Sequence, residues 1–145
     1  MRYLEDLEPG DRFESDSFNV TEEAIIEFGK QFDPQTFHID PVLARQTIFN
    51  GLTASGWHTA AITMRLFIQT LQLAEGAVGL GVDELRWPAP VRPGDTLRVT
   101  TEIVNSRPSK SKVGYGIIQL RNVTTNQRGE VVQTMSANAL VPLRR

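Results

Sequence analysis

The stretch that begins at Gly56 constrains the fold most strongly, because no proline or further glycine interrupts it before Glu75-Gly76. Its apolar side chains, from Trp57 to Leu73, are spread around the helical wheel rather than along one stripe. We therefore predict a long helix over 56–73, which Glu75-Gly76 ends. A helix that is apolar on most sides is expected to be surrounded by protein.

Four segments rich in β-branched and aromatic residues follow this predicted helix, separated by turn clusters. They cover 78–87, 96–105, 113–122 and 131–141. Consecutive strands with short connections form an antiparallel sheet. A shorter segment over 12–20 adds a strand before the helix, although Phe13 and Phe18 break its alternation. The sequence predicts an α+β architecture, in which a five-stranded antiparallel sheet wraps around one long central helix.

The composition is that of an ordinary globular protein, with 40% hydrophobic and 22% charged residues, and the chain fits one domain over 1–145. A net charge of -2 with scattered bases argues against a nucleic-acid partner. The absence of cysteine excludes disulfides, thiolate metal sites and a cysteine nucleophile. No run approaches the ~20 apolar residues of a membrane span, and the acidic amino terminus is unlike a secretory leader. We expect a soluble cytoplasmic protein.

Two proton-handling side chains, Asp33 and His38, lie five positions apart just ahead of the long helix. A predicted amphipathic helix, capped by Thr21, delivers the chain to Asp33. Pro34 and Pro41 keep the segment that follows from being a regular helix, so we place His38 in a loop. The reference pKa values of Asp and His, about 3.9 and 6.5, can be moved toward neutrality by burial. The spacing therefore indicates an acid/base pair.

Gly56 supplies a third candidate group, its own backbone N–H. At the start of a helix this N–H has no intrahelical partner, and the helix dipole favours an anion there. Glycine also permits close approach of a carbonyl group. Ser55, directly before it, has two readings that remain open: a helix N-cap or a hydrogen-bonding group of the site.

The segment Asp33-Pro34-Gln35-Thr36-Phe37-His38, followed by Ala54-Ser55-Gly56, resembles the hydratase motif of the MaoC-like dehydratases, which include (R)-specific enoyl-CoA hydratases. That family usually has Asp-x-Asn-Pro-x-His, then a small residue, a variable residue and glycine. The segment over 84–95 is also similar to a strand and turn common in the family. Gln35 stands here in place of the family's asparagine, and Thr36 in place of its proline.

The resemblance implies a hotdog fold with a short helix-loop insertion carrying the site, usually as a dimer with acyl-thioester sites near the subunit interface. It implies reversible addition of water to a trans-2-enoyl thioester. For that reaction our hypothesis is that one water is held between Asp33 and His38, with the Gly56 N–H as oxyanion donor. Substrate contacts are expected from Gln35, Phe37, Ser55 and Trp57. No metal is implied, and no cofactor beyond the coenzyme A that the substrate itself carries.

Several nearby residues have a structural interpretation beside the functional one. Phe37, Trp57 and Phe49 can line an acyl pocket, but aromatic packing in the core is the more common role. His58 is expected in the core or at an interface, and Asp40 as the cap of a short helix over 41–47. Four bases can reach coenzyme A phosphates, although we favour solvated positions for them; they are Arg86, Arg92, Lys110 and Lys112.

Two other functions remain open at this point. A hotdog acyl-CoA thioesterase would use a carboxylate to activate water against the thioester carbonyl itself. A non-catalytic subunit would bind acyl thioesters without turning them over. Release of free thiol distinguishes the first from a hydratase, and ligand-induced thermal stabilisation without product distinguishes the second.

Overall fold

A computed structural model describes residues 1–145 of the chain. The helices are α1 (Glu22–Phe32), α2 (Thr36–Ile39) and α3 (Gly56–Leu71), with short 3-10 helices at Leu4–Asp6 and Leu43–Gln46. The strands are β1 (Arg12–Glu14), β2 (Phe18–Asn19), β3 (Val78–Arg86), β4 (Thr96–Pro108), β5 (Tyr115–Thr125) and β6 (Val131–Pro142). None of the helices combines the length and the hydropathy that crossing a membrane requires.

The strands form one antiparallel sheet in the order β1-β4-β5-β6-β3, and β2 also pairs with β4. The sheet has six strands and not the predicted five, because the amino-terminal segment is broken into β1 and β2. At the break, the Ser15 hydroxyl accepts the Val99 N–H at 2.8 Å. In an unbroken strand pair a main-chain carbonyl would accept this N–H. The break explains why Phe13 and Phe18 depart from strict alternation, yet both pack against the core.

Helix α3 ends earlier than the glycine signal predicted. Gln72 adopts a left-handed conformation with φ of 48°, and the next residue pairs with Arg2 in an isolated bridge. The Arg2 guanidinium donates to the carbonyls of Thr70 and Leu71 at 3.1 and 2.8 Å. Carbonyls at the end of a helix need such partners. A contact with the distant amino terminus therefore ends the helix.

One face of α3 packs on the sheet, and the opposite face is open. The buried side includes Ile62, Leu66 and Phe67, in the same apolar cluster as Val99 and Ile103. The exposed side carries a stripe of apolar residues: Trp57 (61% exposed), Met64 (48%) and Ile68 (37%). The expectation that protein surrounds this helix is thus not met within one chain.

Candidate active site

Helix α1 places Asp33 at the point where the chain leaves the helix. The Thr21 hydroxyl caps its start by accepting the Ala24 N–H at 3.1 Å. At its end, the Asp33 N–H donates to the Gly29 carbonyl at 2.8 Å, and Asp33 has a non-helical φ of -151°. A residue before proline is disfavoured in the helical region, so Pro34 helps to turn the carboxylate out of the helix.

His38 lies in a short helix, α2, and not in the predicted loop. Pro34 and Pro41 are compatible with this helix because both lie outside its residues, Thr36–Ile39. Gly29 allows α2 to pack on α1, since a Cβ on Gly29 would lie 2.8 Å from the His38 carbonyl oxygen. Glycine inside a helix lowers stability relative to alanine. A glycine within a helical pattern is therefore a sequence signal of close packing at that position. Gly29 is a positioning residue that the sequence analysis missed.

The buried His38 ring is oriented by Thr53. Its Nδ1 lies 2.6 Å from the Thr53 carbonyl oxygen, which can only accept, so Nδ1 carries the proton. Thr53 is itself fixed, because its N–H donates to the Phe37 carbonyl and its hydroxyl to the Val91 carbonyl. The other ring nitrogen, Nε2, therefore faces Asp33. No local pattern in the sequence marks Thr53 for this role.

The carboxylate of Asp33 is in direct contact with His38, at 3.2 Å between Oδ2 and Nε2. This distance leaves no space for the single water expected between them. A water that contacts both groups must bind beside the pair, on the side of the cavity that both residues line. Asp33 and His38 thus lie together, and their acid/base role stays a prediction. The expected position of the water between them was wrong, because the distance depends on how α2 packs on α1.

Two neutral donors hold the Asp33 carboxylate. Gln35 Nε2 donates to Oδ1 at 2.7 Å, and the Ser55 hydroxyl donates to Oδ2 at 2.7 Å. Partial burial raises the pKa of Asp33, but these hydrogen bonds and the nearby His38 outweigh burial, so that the pKa lies below its ordinary value. Asp33 is consequently ionised at neutral pH.

Ser55 serves both of the roles left open by the sequence. Besides its bond to Asp33, its oxygen accepts the Trp57 N–H at 3.3 Å and so caps α3. The next residue, Gly56, donates its N–H to no protein acceptor. A Cβ on Gly56 would lie only 2.5 Å from Cε2 of Trp87, so any other residue at this position would overlap the indole unless the ring moved.

A cavity of about 460 Å³ brings these groups together. Its wall combines the polar groups with apolar and aromatic side chains, a composition typical of small-molecule sites. Among the lining residues are Asp33, His38, Gln35, Gly56, Phe37, Phe49, Trp57 and Trp87. No three side chains of the types that ligate metals converge anywhere in the chain, this cavity included.

The aromatic residues lie in the cavity wall. Phe37 meets the His38 ring edge-on at 4.7 Å and Phe49 at 5.0 Å between ring centroids. Trp57 is 61% exposed and makes an edge contact with Trp87 at 5.6 Å. Core packing, the more common role of such residues, therefore does not describe Trp57.

Asp40 and His58 lie in the structural positions expected of them. Asp40 caps the following turn, as expected, by accepting the N–H groups of Val42 and Leu43 at 3.0 Å each. His58 is buried and stacks on Phe28 at 4.7 Å, as expected of a core histidine, and burial lowers its pKa.

Of the four bases, Arg86, Lys110 and Lys112 are exposed, in line with our interpretation. The interpretation is wrong for Arg92, which is half-buried. Its guanidinium donates to the carbonyls of Leu52 (3.3 Å) and Phe49. It therefore holds the segment that leads into the site.

The model of the family described as "MaoC like domain" matches residues 6–126. The crystal structure of a MaoC-like dehydratase from Rhodospirillum rubrum is 50% identical, with a TM-score of 0.94, over 100% of this chain and 99% of that one. The 3-hydroxyacyl-thioester dehydratase Z of Mycobacterium tuberculosis is 31% identical over 77% of this chain and 74% of its own length.

A further relative is the (R)-specific enoyl-CoA hydratase of Rhodospirillum rubrum, 27% identical over 99% of this chain and 94% of its own length. These matches confirm the resemblance that the motif indicated and the hotdog fold that it implied. The chain belongs to the family of MaoC-like domains.

Proposed function

We propose that this chain is a hydro-lyase that adds water reversibly to the double bond of a trans-2-enoyl thioester. One observation carries the proposal: Asp33 and His38 are in direct contact in a cavity that also contains the unpaired Gly56 N–H. Two relatives are named for such chemistry, one as a 3-hydroxyacyl-thioester dehydratase and one as an enoyl-CoA hydratase.

The proton inventory of the pair suits this reaction. Water beside the pair attacks C3 and gives up one proton, for which His38 Nε2 is the acceptor, because Nδ1 already carries its proton. The ionised Asp33, 3.2 Å away, stabilises the imidazolium that forms. The proton then passes to C2, which returns the pair to its starting state and leaves a 3-hydroxyacyl thioester. Positioned acid/base groups typically contribute about 10²–10⁴-fold.

The Gly56 N–H supports the charge that develops in this reaction. As water attacks C3, the electrons of the double bond move toward the thioester carbonyl, whose oxygen becomes negative. A helix N-terminus with an unpaired N–H stabilises such an oxyanion, and one donor of this kind is worth about 2.7–4 kcal/mol. The contribution of the Gly56 N–H to the rate is therefore comparable with that of the acid/base pair.

The neighbouring residues divide into two roles in this proposal. Gln35 and Ser55 hold the carboxylate of Asp33 and do not need to contact the acyl group. Phe37 and Trp57 form apolar wall for the acyl chain. The thiol carrier, which we expect to be coenzyme A, belongs to the substrate, and no other cofactor enters the scheme.

The test uses purified protein with trans-2-enoyl-CoA thioesters of short, medium and branched chains, following loss of the conjugated chromophore. We expect hydration by the wild type, and a loss of about 10²–10⁴-fold in kcat for Asp33→Asn and His38→Ala. Asp40→Asn is the matched control, because Asp40 caps a turn nearby and asparagine is an equally good cap. Full activity of either site variant would remove the mechanism.

The same assays distinguish the alternatives. Release of free thiol without loss of the double bond would identify a thioesterase. Thermal stabilisation by an enoyl thioester without any product would identify a binding subunit. Each of these results would replace the proposed hydro-lyase.

The protein is also proposed to form a homodimer through β3. This strand is at the sheet edge, with its outer main-chain groups unpaired, and exposes Val78, Leu80 and Val82 by 59, 53 and 51%. The exposed Met64 and Ile68 of α3 lie with β3 around an apolar cavity of about 300 Å³. An exposed apolar strand edge is a template for pairing with another chain.

Sedimentation equilibrium tests the dimer. We expect the wild type to be dimeric and Leu80→Asp to be monomeric, because a charge on an edge strand blocks pairing. Val113→Asp is the control, since Val113 is 98% exposed in the hairpin between β4 and β5. A monomeric wild type would contradict the proposal.

A further inference from the structure

Trp87, directly after β3, covers the start of α3. A Cβ on Gly56 would lie 2.5, 2.7 and 2.8 Å from three carbons of its indole, so the ring lies directly over the glycine. The same ring lines the cavity next to Trp57. Trp87 is nevertheless 42% exposed, so burial alone does not hold it in this position.

A buried glutamine holds the ring. The indole Nε1–H of Trp87 donates to Oε1 of Gln133 at 2.8 Å, and Gln133 has no exposed surface. A buried amide needs all its hydrogen-bonding groups satisfied. Gln133 Nε2 donates to the hydroxyl of Thr63 on α3 at 3.2 Å, and that hydroxyl shares a hydrogen bond of 2.7 Å with Thr124 of β5. The network thus joins Trp87 to both the helix and the sheet.

A β-bulge makes this arrangement possible. Thr124 pairs with Gln133 and Thr125 with Val131, which leaves Val132 as an extra residue in β6. Val132 and Gln133 are therefore both buried, although successive strand residues normally point to opposite faces. Val132 lines the cavity, and Gln133 reaches the indole.

We propose that Gln133 is a positioning residue that holds Trp87 over Gly56, and that Trp87 so held is the wall that limits the size of the acyl group. This inference rests on the proposed function, because it assigns the wall to an acyl site. Without Gln133 the indole loses its hydrogen-bond partner and can swing away from Gly56. Acyl groups that the ring excludes, such as branched or longer chains, then enter the cavity.

Kinetics on matched variants test the specificity. The readout is the ratio of kcat/KM for a branched enoyl-CoA to that for a short linear one. We expect Gln133→Met and Trp87→Phe each to raise this ratio about tenfold or more, as a change of a methylene or two in an apolar pocket does. Both changes break the same hydrogen bond, the one between Trp87 and Gln133. The double variant should therefore raise the ratio no further than the larger of the two single effects.

Thr101→Val is the control for a merely structural effect. It removes another buried hydrogen bond of the sheet, from Thr101 to Asn122 at 2.6 Å, which does not touch Trp87. We expect lower thermal stability and an unchanged ratio. An unchanged ratio in Gln133→Met, or effects of Gln133→Met and Trp87→Phe that simply multiply in the double variant, would overturn the proposal.

Fluorescence tests the positioning without any turnover. The chain has two tryptophans, so Trp57→Phe leaves Trp87 as the only emitter. Adding Gln133→Met should shift its emission to longer wavelength and increase quenching by acrylamide. Identical quenching would overturn the positioning role. If Gln133→Met does not fold, Trp87→Phe breaks the same hydrogen bond between Trp87 and Gln133 at its half-exposed partner. The ratio of kcat/KM values for Trp87→Phe then decides the proposal.

The two proposals fail in different ways. A wild type that hydrates no enoyl thioester would overturn the proposed function and the acyl-wall assignment together, while the fluorescence result still decides the positioning role. Hydration with an unchanged ratio in every variant would overturn only the present inference.

Discussion

The hydroxyl of Ser55 donates to Oδ2 of Asp33 at 2.7 Å, the same carboxylate oxygen that contacts His38. Ser55 also caps α3, whose first N–H is the candidate oxyanion donor. One buried side chain therefore links the acid/base pair to the helix N-terminus. The consequences of this link can be separated experimentally.

We predict that Ser55→Ala moves the acidic limb of the pH–rate profile to higher pH. The hydrogen bond from Ser55 lowers the pKa of Asp33, so its removal raises that pKa, and the carboxylate is protonated at a higher pH. The helix cap is lost as well, at a cost of about 1 kcal/mol. Thr21→Ala is the control, because it removes only the cap of α1. An acidic limb that stays in place in Ser55→Ala would contradict the argument.

Gly56→Ala is predicted to destabilise the fold by about 1–3 kcal/mol, because the new methyl group overlaps the Trp87 indole. Trp87→Ala should restore most of this loss, which urea unfolding of the single and double variants measures. Gly29→Ala is the control, since its methyl group would meet the backbone of His38 and Trp87→Ala cannot relieve that overlap. Equal cost of Gly56→Ala in both backgrounds would show that the indole is not the cause.

His58 is predicted to make the fold less stable as the pH falls below about 6.5. Burial lowers its pKa below the value of the unfolded chain, so the unfolded state binds the proton more readily in the interval between the two pKa values. Stability rises with pH in that interval and is lost as the pH falls through it. Urea midpoints at pH 7.5 and 5 should differ less in His58→Leu than in the wild type. Asp33, whose lowered pKa acts in a more acidic range, does not affect this comparison.

Arg92→Lys is predicted to raise KM for the thioester several-fold and to lower stability by about 1–3 kcal/mol, because an ammonium group cannot reproduce the two directed donors of the guanidinium. The carbonyls that lose their partner belong to Phe49, which lines the cavity, and Leu52, next to Thr53. Arg45→Lys is the control on an exposed arginine of the same region. Unchanged kinetics and stability would show that Arg92 does not hold this segment.

The sequence predicted the parts of the site whose signals are local. Asp33 and His38 are five positions apart in the sequence, and Ser55-Gly56 begins a long apolar run that no proline or further glycine interrupts before Glu75-Gly76. Caps such as Thr21 and Asp40 act within three residues. Signals of this range can be read from composition and spacing without knowledge of the tertiary structure.

Predictions went wrong where a distant residue decides the outcome. Arg2 ends α3 ahead of the glycine signal, and Ser15 breaks the first strand through a contact with Val99. The direct contact of Asp33 with His38, which displaces the expected water, depends on the packing permitted by Gly29.

What the sequence by itself determined is the order of the elements, the fold class and the presence of a carboxylate, an imidazole and a helix start near one another. Only the tertiary structure decided which His38 nitrogen carries the proton, through Thr53, and which residue covers Gly56, through Trp87 and Gln133. The physical reason is range. Helix periods and caps act over a few residues, whereas hydrogen bonds and close packing join groups that only the folded chain brings together.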